Sequence, residues 1–421
     1  MARLELINFQ PWKAVAGGDG ASGWQVDTQR RVAADLPQIF WSTGSSWPEV
    51  NLWALERSTI ERSKPATVLS AMSHLKAYAD FLERSGLDWR HFPTRRDERV
   101  LDRFRGHLLD AVAAGQLALS TASVRMNAVI RFYKFADLHG MVQPRAPMWQ
   151  EHTVVLPFFD AIGFRRTMTR VTTSLGISNR SRIGATLEDG LLPLSNHATT
   201  ELLSFTSKEA SPELHLMLSI GFFTGARVGT IVSLTKDSVL TAREAPLTPG
   251  FLLLNVGPGT EVSTKFDVKG QLHFPALLFQ DLKDYIFSTE RLHREARAGA
   301  ADKGKVFLTR RSKKYSVESV DRLIQELRKI TMLRGMEFMN RFRFHQSRAT
   351  YGTWLMRLML DHSSPAIAIE FVKNAMLHKH ESTTLRYIRF IEVTAGKIEA
   401  ARAFNEAFTG IKDRRWRELP T

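Results

Sequence analysis

The sequence predicts a mainly α-helical chain with one small β-sheet, in which a helical domain is followed by a larger α+β domain. Three observations predict it. Apolar residues recur at helical spacing from Lys64 to about Val142, and again through most of the chain beyond Leu194. Only two segments, Gly250–Val256 and Gln271–Leu278, alternate or run apolar in the manner of strands. Pro144, Pro147 and Pro157 interrupt the stretch between the two helical regions. The expected divisions are 1–60, 61–145, 146–192, 193–410 and 411–421.

In chain order, residues 1–60 hold Gly17, Gly18, Gly20, Gly23 and Gly44 together with Trp12, Trp24, Trp41, Trp47 and Trp53. Glycine at that density argues against long helices, and the tryptophans argue against plain disorder. The expectation is an irregular arm that docks on something, with a short helix around Gln29–Leu36. Pro65 opens a helix through Leu69, Leu75, Tyr78, Phe81 and Leu82, and Gly86 ends it. A second helix runs from about Asp97 to Ala114. Ser120-Thr121 reads as the N-cap of a third, which ends at Gly140. Residues 146–192 read as a connector with scattered charge. Ser195 then caps a helix, Glu213–Phe223 reads as a buried one, and Thr224-Gly225-Ala226-Arg227 turns into the next. Between the two strand segments, Thr264–Gly270 reads as a hairpin tip. Residues 389–408 form an amphipathic helix through Ile391, Val393, Ile398, Ala401 and Phe404, followed by a basic tail.

Composition narrows the function. Fifty-eight Lys and Arg against 43 Asp and Glu give a net charge of +15, so a polyanion is the expected partner, most often nucleic acid. Residues 301–350 alone carry 13 basic and 5 acidic residues. The chain has no cysteine, which excludes disulfides, thiolate metal sites and thiol nucleophiles. No apolar run reaches the ~18 residues of a membrane span, and the opening MARLELINFQPWK has no secretory hydrophobic region. The expected setting is the cytoplasm, with no membrane partner.

Four strings carry chemistry. Arg227 follows a glycine turn after an apolar helix, so buried structure should position it. Lys265 lies at the hairpin tip. His345 and Arg348 stand at i and i+3 on one helix and share a face. The fourth string is His378-Lys-His-Glu-Ser-Thr-Thr-Leu-Arg-Tyr387. His378 and His380 could pair on a metal, but no cysteine or clear carboxylate partner stands nearby, and no metal or cofactor is expected.

In this order the strings resemble the tyrosine recombinases, or phage-type integrases. TGAR matches the family's TGLR-like turn at Arg227. STKFDVKGQLHFP matches its lysine hairpin at Lys265, with Lys269 a rival because the hairpin is about two residues longer than usual. HQSRATYGT matches the HxLRH-like helix at His345 and Arg348, and MLHKHESTTLRY matches the last box at His378 and Tyr387. The match covers about residues 64–400, and 160 positions separate Arg227 from Tyr387. Three departures stand out: Thr230 where many members have Glu, Ser347 for leucine, and Leu377 for the glycine before the histidine.

The resemblance implies a helical SAM-like core-binding domain joined to an α+β tyrosine-recombinase catalytic domain. It implies a site-specific recombinase that cuts and rejoins DNA through a 3′-phosphotyrosine, for integration, excision or transposition of a mobile element. Arg227, Lys265, His345, Arg348, His378 and Tyr387 would be its catalytic residues. Its partners would be double-stranded DNA recombination sites on the bacterial nucleoid, a homotetramer formed there, and accessory proteins. Arg125, Lys134, Lys269, Lys313, Lys314, Arg341 and Arg343 are the DNA-binding candidates. A non-catalytic DNA-binding protein on the same scaffold and a type IB topoisomerase-like enzyme are the rival readings.

Overall fold

A computed structural model describes residues 1–16, 22–159, 165–179, 187, 190–246 and 248–411. It divides into two compact units, residues 1–180 and 181–421. Of the tail expected at 411–421, residues 412–421 lie outside the described residues.

The first unit opens with strands, not an irregular arm. β1 (Arg3–Phe9) pairs antiparallel with β4 (Ala33–Phe40), and β2 (Trp12–Ala16) pairs with β3 (Ser22–Val26). The helix expected at Gln29–Leu36 is therefore absent. Its second half belongs to β4, where Leu36 and Ile39 face the core and the edge of β1 satisfies the backbone. α1 (Pro48–Thr59) follows, with proline in its first turn. Trp47 is buried, stacked on Trp41 at 4.6 Å and edge-on to Phe132 at 5.6 Å. Trp53 is buried too, so three of the tryptophans serve the core and bring residues 1–60 into it.

α2 (Pro65–Ser85) starts at its proline and stops at Gly86, which takes φ +60°. α3 (Val100–Ala113) and α4 (Leu119–Leu138) complete the bundle. Ser120 and Thr121 lie in the first turn of α4, and Ala118 holds the cap position without a side-chain acceptor. Tyr78 and Tyr133 meet hydroxyl to hydroxyl at 2.7 Å in the core, and Tyr133 donates to the Trp89 carbonyl. The expected connector contains a hairpin, β5 (Glu151–Phe159) with β6 (Arg165–Thr173), in register from Glu151↔Thr173 to Phe159↔Arg165. Valine and threonine dominate β6, β5 adds valine and phenylalanine, and Pro157 is tolerated because a two-stranded ribbon has only edge strands.

The second unit is mainly helical around a three-stranded sheet. α5 (Asn196–Glu209) is capped by Ser195, whose hydroxyl accepts from Ala198 N at 3.1 Å. α6 (Pro212–Thr224) is buried along most of its length, as its mainly apolar sequence predicts. α7 (Val228–Ser233) and α8 (Lys236–Leu240) lead to β7 (Arg243–Glu244), β8 (Phe251–Val256) and β9 (Gly270–Pro275), ordered β7-β8-β9. The second strand stops at Pro275, and α9 (Ala276–Ile286) takes the last three residues of the segment expected to be strand. α10 (Thr289–Arg297) is held by buried polar contacts. Arg294 pairs with Glu213, which also accepts from the Tyr285 hydroxyl at 3.1 Å, and Arg291 donates to the Lys305 carbonyl at 2.6 Å. α11 (Val317–Leu333), α12 (His345–His362), α13 (Pro365–Ala375) and α14 (Glu381–Ile411) close the unit.

Candidate active site

Each chemistry-bearing string is placed by a specific local device. The first is the end of α6. Gly225 takes φ +65°, and a Cβ there would lie 2.4 Å from the Tyr351 ring. Only glycine fits both demands. Two residues on, Arg227 occupies the N-terminal cap position of α7 and is half-buried.

His345 is the first residue of α12 and half-buried, and Arg348 follows one turn later, 2% exposed. The Arg348 guanidinium donates to the Gly225 carbonyl and to the Met376 carbonyl, both at 2.6 Å. It thereby ties the TGAR turn, α12 and the end of α13 to one point.

The end of α13 is a Schellman cap. The Leu377 N–H bonds the Asn374 carbonyl at 3.1 Å, and the His378 N–H bonds the Lys373 carbonyl at 3.0 Å. The residue at the bend must be left-handed, and Leu377 takes φ +52°. Glycine is the ordinary choice there. Here a leucine carries the strain, and its side chain is buried against Gly270, where a Cβ would lie 2.4 Å from Leu377 Cδ2.

His378 is 4% exposed, and its Nδ1 lies 2.8 Å from the Thr384 hydroxyl. Thr384 sits on α14 three residues before Tyr387. The His378 and Tyr387 rings stack at 6.0 Å with 25° between their planes. Tyr387 is fully buried, and Gly352 makes room for it, since a Cβ at 352 would lie 2.6 Å from Tyr387 Cε1. Tyr351 is the neighbouring phenol. Burial pushes it up to about 12 against the pull of Arg348.

Lys265 lies in a 3-10 turn, Lys265–Asp267, between β8 and β9, and is exposed. The Thr264 hydroxyl donates to the Val268 carbonyl at 2.7 Å and closes the turn. The Lys265 ammonium lies 5.3 Å from the Phe266 ring centre, and Lys379, next to His378, lies 5.7 Å from the same ring. The hairpin tip and the histidine turn are thus neighbours.

Arg348, His378 and Tyr387 come together in this way, with Arg227 on the turn that Arg348 braces and Lys265 on the hairpin tip beside Lys379. Thr384, Phe266, Lys379 and Gly352 were missed by the motif reading. The doubled threonine before Leu385 was the one available signal for Thr384.

No family model matches the chain, and no curated protein sequence matches it. Solved structures do. The Tn1549 transposon integrase in complex with circular intermediate DNA superposes with a TM-score of 0.50 over 80% of this chain and 94% of that one, at 13% identity. The same integrase with transposon right end DNA gives 0.50 over 83% and 99%, at 12% identity. A lambda integrase dimer bound to a core site gives 0.45 over 77% and 88%, at 16% identity. The chain has the tyrosine-recombinase fold.

Within that fold the DNA-binding candidates are scattered. Lys269, Lys313, Lys314, Arg341 and Arg343 are exposed on the second unit. Arg343 stands two residues before α12 and partly offsets the burial that raises the Asp321 carboxyl. On the first unit, Lys134 is half-exposed, paired with Glu151 at 3.1 Å and 6.0 Å from the Trp149 ring centre. Arg125 is half-buried, and desolvation pulls its guanidinium below the usual arginine range while Asp80 pulls the other way. Among the described residues, no helix is long and apolar enough to cross a membrane, and no group of His, Asp and Glu is arranged to hold a metal ion.

Proposed function

We propose that this chain is a site-specific DNA recombinase that breaks and rejoins a phosphodiester through a 3′-phosphotyrosine intermediate. The observation that carries this reading is the convergence of Arg348 on the Gly225 and Met376 carbonyls, with the His378 and Tyr387 rings stacked beside them. Three motif strings far apart in sequence, the turn before Arg227, the helix of Arg348 and the box of His378 and Tyr387, supply these contacts, inside a fold shared with DNA-bound integrases.

The phenol oxygen of Tyr387 attacks the scissile phosphorus and displaces the 5′-oxygen. The new phosphotyrosine keeps the bond energy, so a second strand's 5′-hydroxyl can reverse the step without nucleotide. A phenol near pKa 10 is a weak nucleophile at neutral pH, and nearby cations lower the cost of its anion. Arg227 and Arg348 hold the non-bridging oxygens with planar, permanently charged forks. Losing one such donor costs on the order of 10²–10³ in rate. Lys265 protonates the departing 5′-oxygen, with Lys269 as the rival on the same hairpin. His345 and His378 bond the phosphate and move protons between tyrosine and solvent.

The partner is duplex DNA carrying recombination sites, consistent with the charge of +15. Assembly is a homotetramer on two such sites. Beyond Ile391, α14 leaves Ile398 65% exposed, and a neighbouring copy would cover that face. The enzyme works on the bacterial nucleoid in the cytoplasm, with accessory proteins bending its sites.

The test uses nicked duplexes from the borders of the genetic element that carries the gene. Wild type and Tyr387→Phe are incubated with EDTA and no nucleotide, then run on a denaturing gel. The reading expects a covalent protein–DNA adduct from wild type alone. An adduct from both proteins would move the nucleophile elsewhere. On a supercoiled plasmid carrying the same borders, relaxed circles with no joined or deleted product would place the chemistry with the topoisomerases instead.

A further inference from the structure

The turn between β8 and β9 holds an aromatic ring out in solvent at a cost to the backbone. Phe266 is 58% exposed. Its φ is +64°, and Asp267 follows at +54°. A bulky residue in the left-handed region is an outlier, and here it stands beside a second non-glycine residue in the same region. Glycine would make this turn without strain. Packing does not explain the ring either, because most of its surface meets no neighbour.

The ring's surroundings are cationic. Lys265 and Lys379 place their ammonium groups 5.3 and 5.7 Å from its centre, and Lys269 is exposed at the end of the same connection. Asp267 is the carboxylate within the turn. A purely apolar protein partner would have to bury these charges to cover the ring. A nucleic acid would not, because each base offers a flat π-face and carries phosphates to either side. Strain held at a surface tip beside a candidate active site is the usual sign of a ligand clamp.

We propose that Phe266 is a nucleobase-stacking residue, whose ring lies on the face of a base unstacked beside the cleaved phosphate while Lys269 and Lys379 hold the flanking phosphates. The inference rests on the DNA reading above and adds a contact to a base that none of the motif residues makes. The ring would keep that base out of the stack and hold the tip in place while Lys265 reaches the leaving oxygen.

Fluorescence anisotropy on the full chain tests it, with short labelled duplexes of mixed sequence, one intact and one with a single-nucleotide gap that exposes a base face. Phe266→Leu keeps size and apolarity but removes the π-face. It should weaken binding to the gapped duplex by about 5- to 100-fold, with a smaller effect on the intact one. Phe266→Trp should restore it. The salt dependence should not change with Phe266→Leu, whereas Lys379→Ala should lower the slope by about one. Phe266→Gly should bind as poorly as Phe266→Leu yet melt at a higher temperature, because the backbone strain is gone.

Phe266→Leu binding both duplexes like wild type would overturn the inference. So would an equal loss on both duplexes with a changed salt slope, which would make the effect electrostatic. Wild type binding neither duplex at low salt would remove the DNA reading and the inference together, a result distinct from a wild type that binds and ignores residue 266.

Discussion

Leu377 and Gly270 form a compensated pair, and the compensation can be measured. Leu377 occupies the left-handed position of the cap that delivers His378. Holding a residue with a Cβ there costs about 1–2 kcal/mol. Its side chain is 8% exposed in the core of the second unit, and truncating such a leucine costs about 2–5 kcal/mol. Leu377→Gly therefore trades the two and should lose about 1–3 kcal/mol net. Gly270→Ala places a methyl 2.4 Å from Leu377 Cδ2. That atom is the far end of a rotatable side chain, so the overpacking should cost about 1 kcal/mol, the low end of its range. In the double variant the clash has no partner and the methyl fills part of the vacated space. The two changes should then couple favourably by at least ~1 kcal/mol. Urea unfolding of the full chain reads the four proteins, with hydrogen exchange of peptides covering 365–391 to localise the loss. Simple additivity within about 0.5 kcal/mol would refute the reasoning, because it would mean Gly270 does not set the room available to Leu377.

Three further outcomes follow from the geometry. Thr384 holds Nδ1 of His378 and belongs to the helix that carries Tyr387. Thr384→Val should slow adduct formation by about tenfold or more, a part of the ~10²–10⁴ that acid–base catalysis supplies. DNA affinity should be untouched and Thr384→Ser should recover the rate; equal rates for valine and wild type would show that the hydroxyl orients nothing. Glu213 is buried between Arg294 and Tyr285. Glu213→Ala leaves the Arg294 charge without its partner and should cost about 3–5 kcal/mol in urea unfolding, and a loss below about 1 kcal/mol would mean that water reaches the arginine. Finally, burial lowers the pKa of His74, His107, His215 and His273, with Arg125 adding to the effect at His74 and Arg84 adding to it at His107. The unfolded chain then binds protons near pH 6.5 that the folded chain refuses, so stability present above that value is lost as pH falls below it. The Tm should be lower at about pH 5.5 than at about pH 7.5; an equal or higher Tm in acid would contradict this sign.

The helices, the sheet and the order of the site strings were legible because they rest on local rules. Pro65 and Gly86 mark α2 through backbone geometry alone, and Gly225 marks the turn before Arg227 in the same way. What failed was long-range. Residues 29–36 look neither apolar nor periodic, and their strand exists because β1, some thirty positions earlier, offers an edge. The tryptophans of residues 1–60 pointed to docking, but only packing shows that Trp47 meets Phe132 within the same unit. Nor did the composition of the connector disclose a hairpin, because a ribbon needs only β-branched residues and a register.

The site shows the same divide. Motif spacing placed the charged groups, but its three departures read as gaps in a pattern until the packing is known. Ser347 is the instructive case. It replaces a leucine at a position facing α6, where Gly221 approaches so closely that a Cβ would lie 2.4 Å from Ser347 Oγ. Its hydroxyl is satisfied by the Phe344 carbonyl at 2.7 Å. A leucine there would need room that α6 does not leave, just as a residue larger than glycine at 270 would collide with Leu377. In both places a glycine on the facing element lies directly against the departing residue. The motif residues can keep their positions while the side chains packed around them differ, in a sequence only 12–13% identical to the integrases it superposes on.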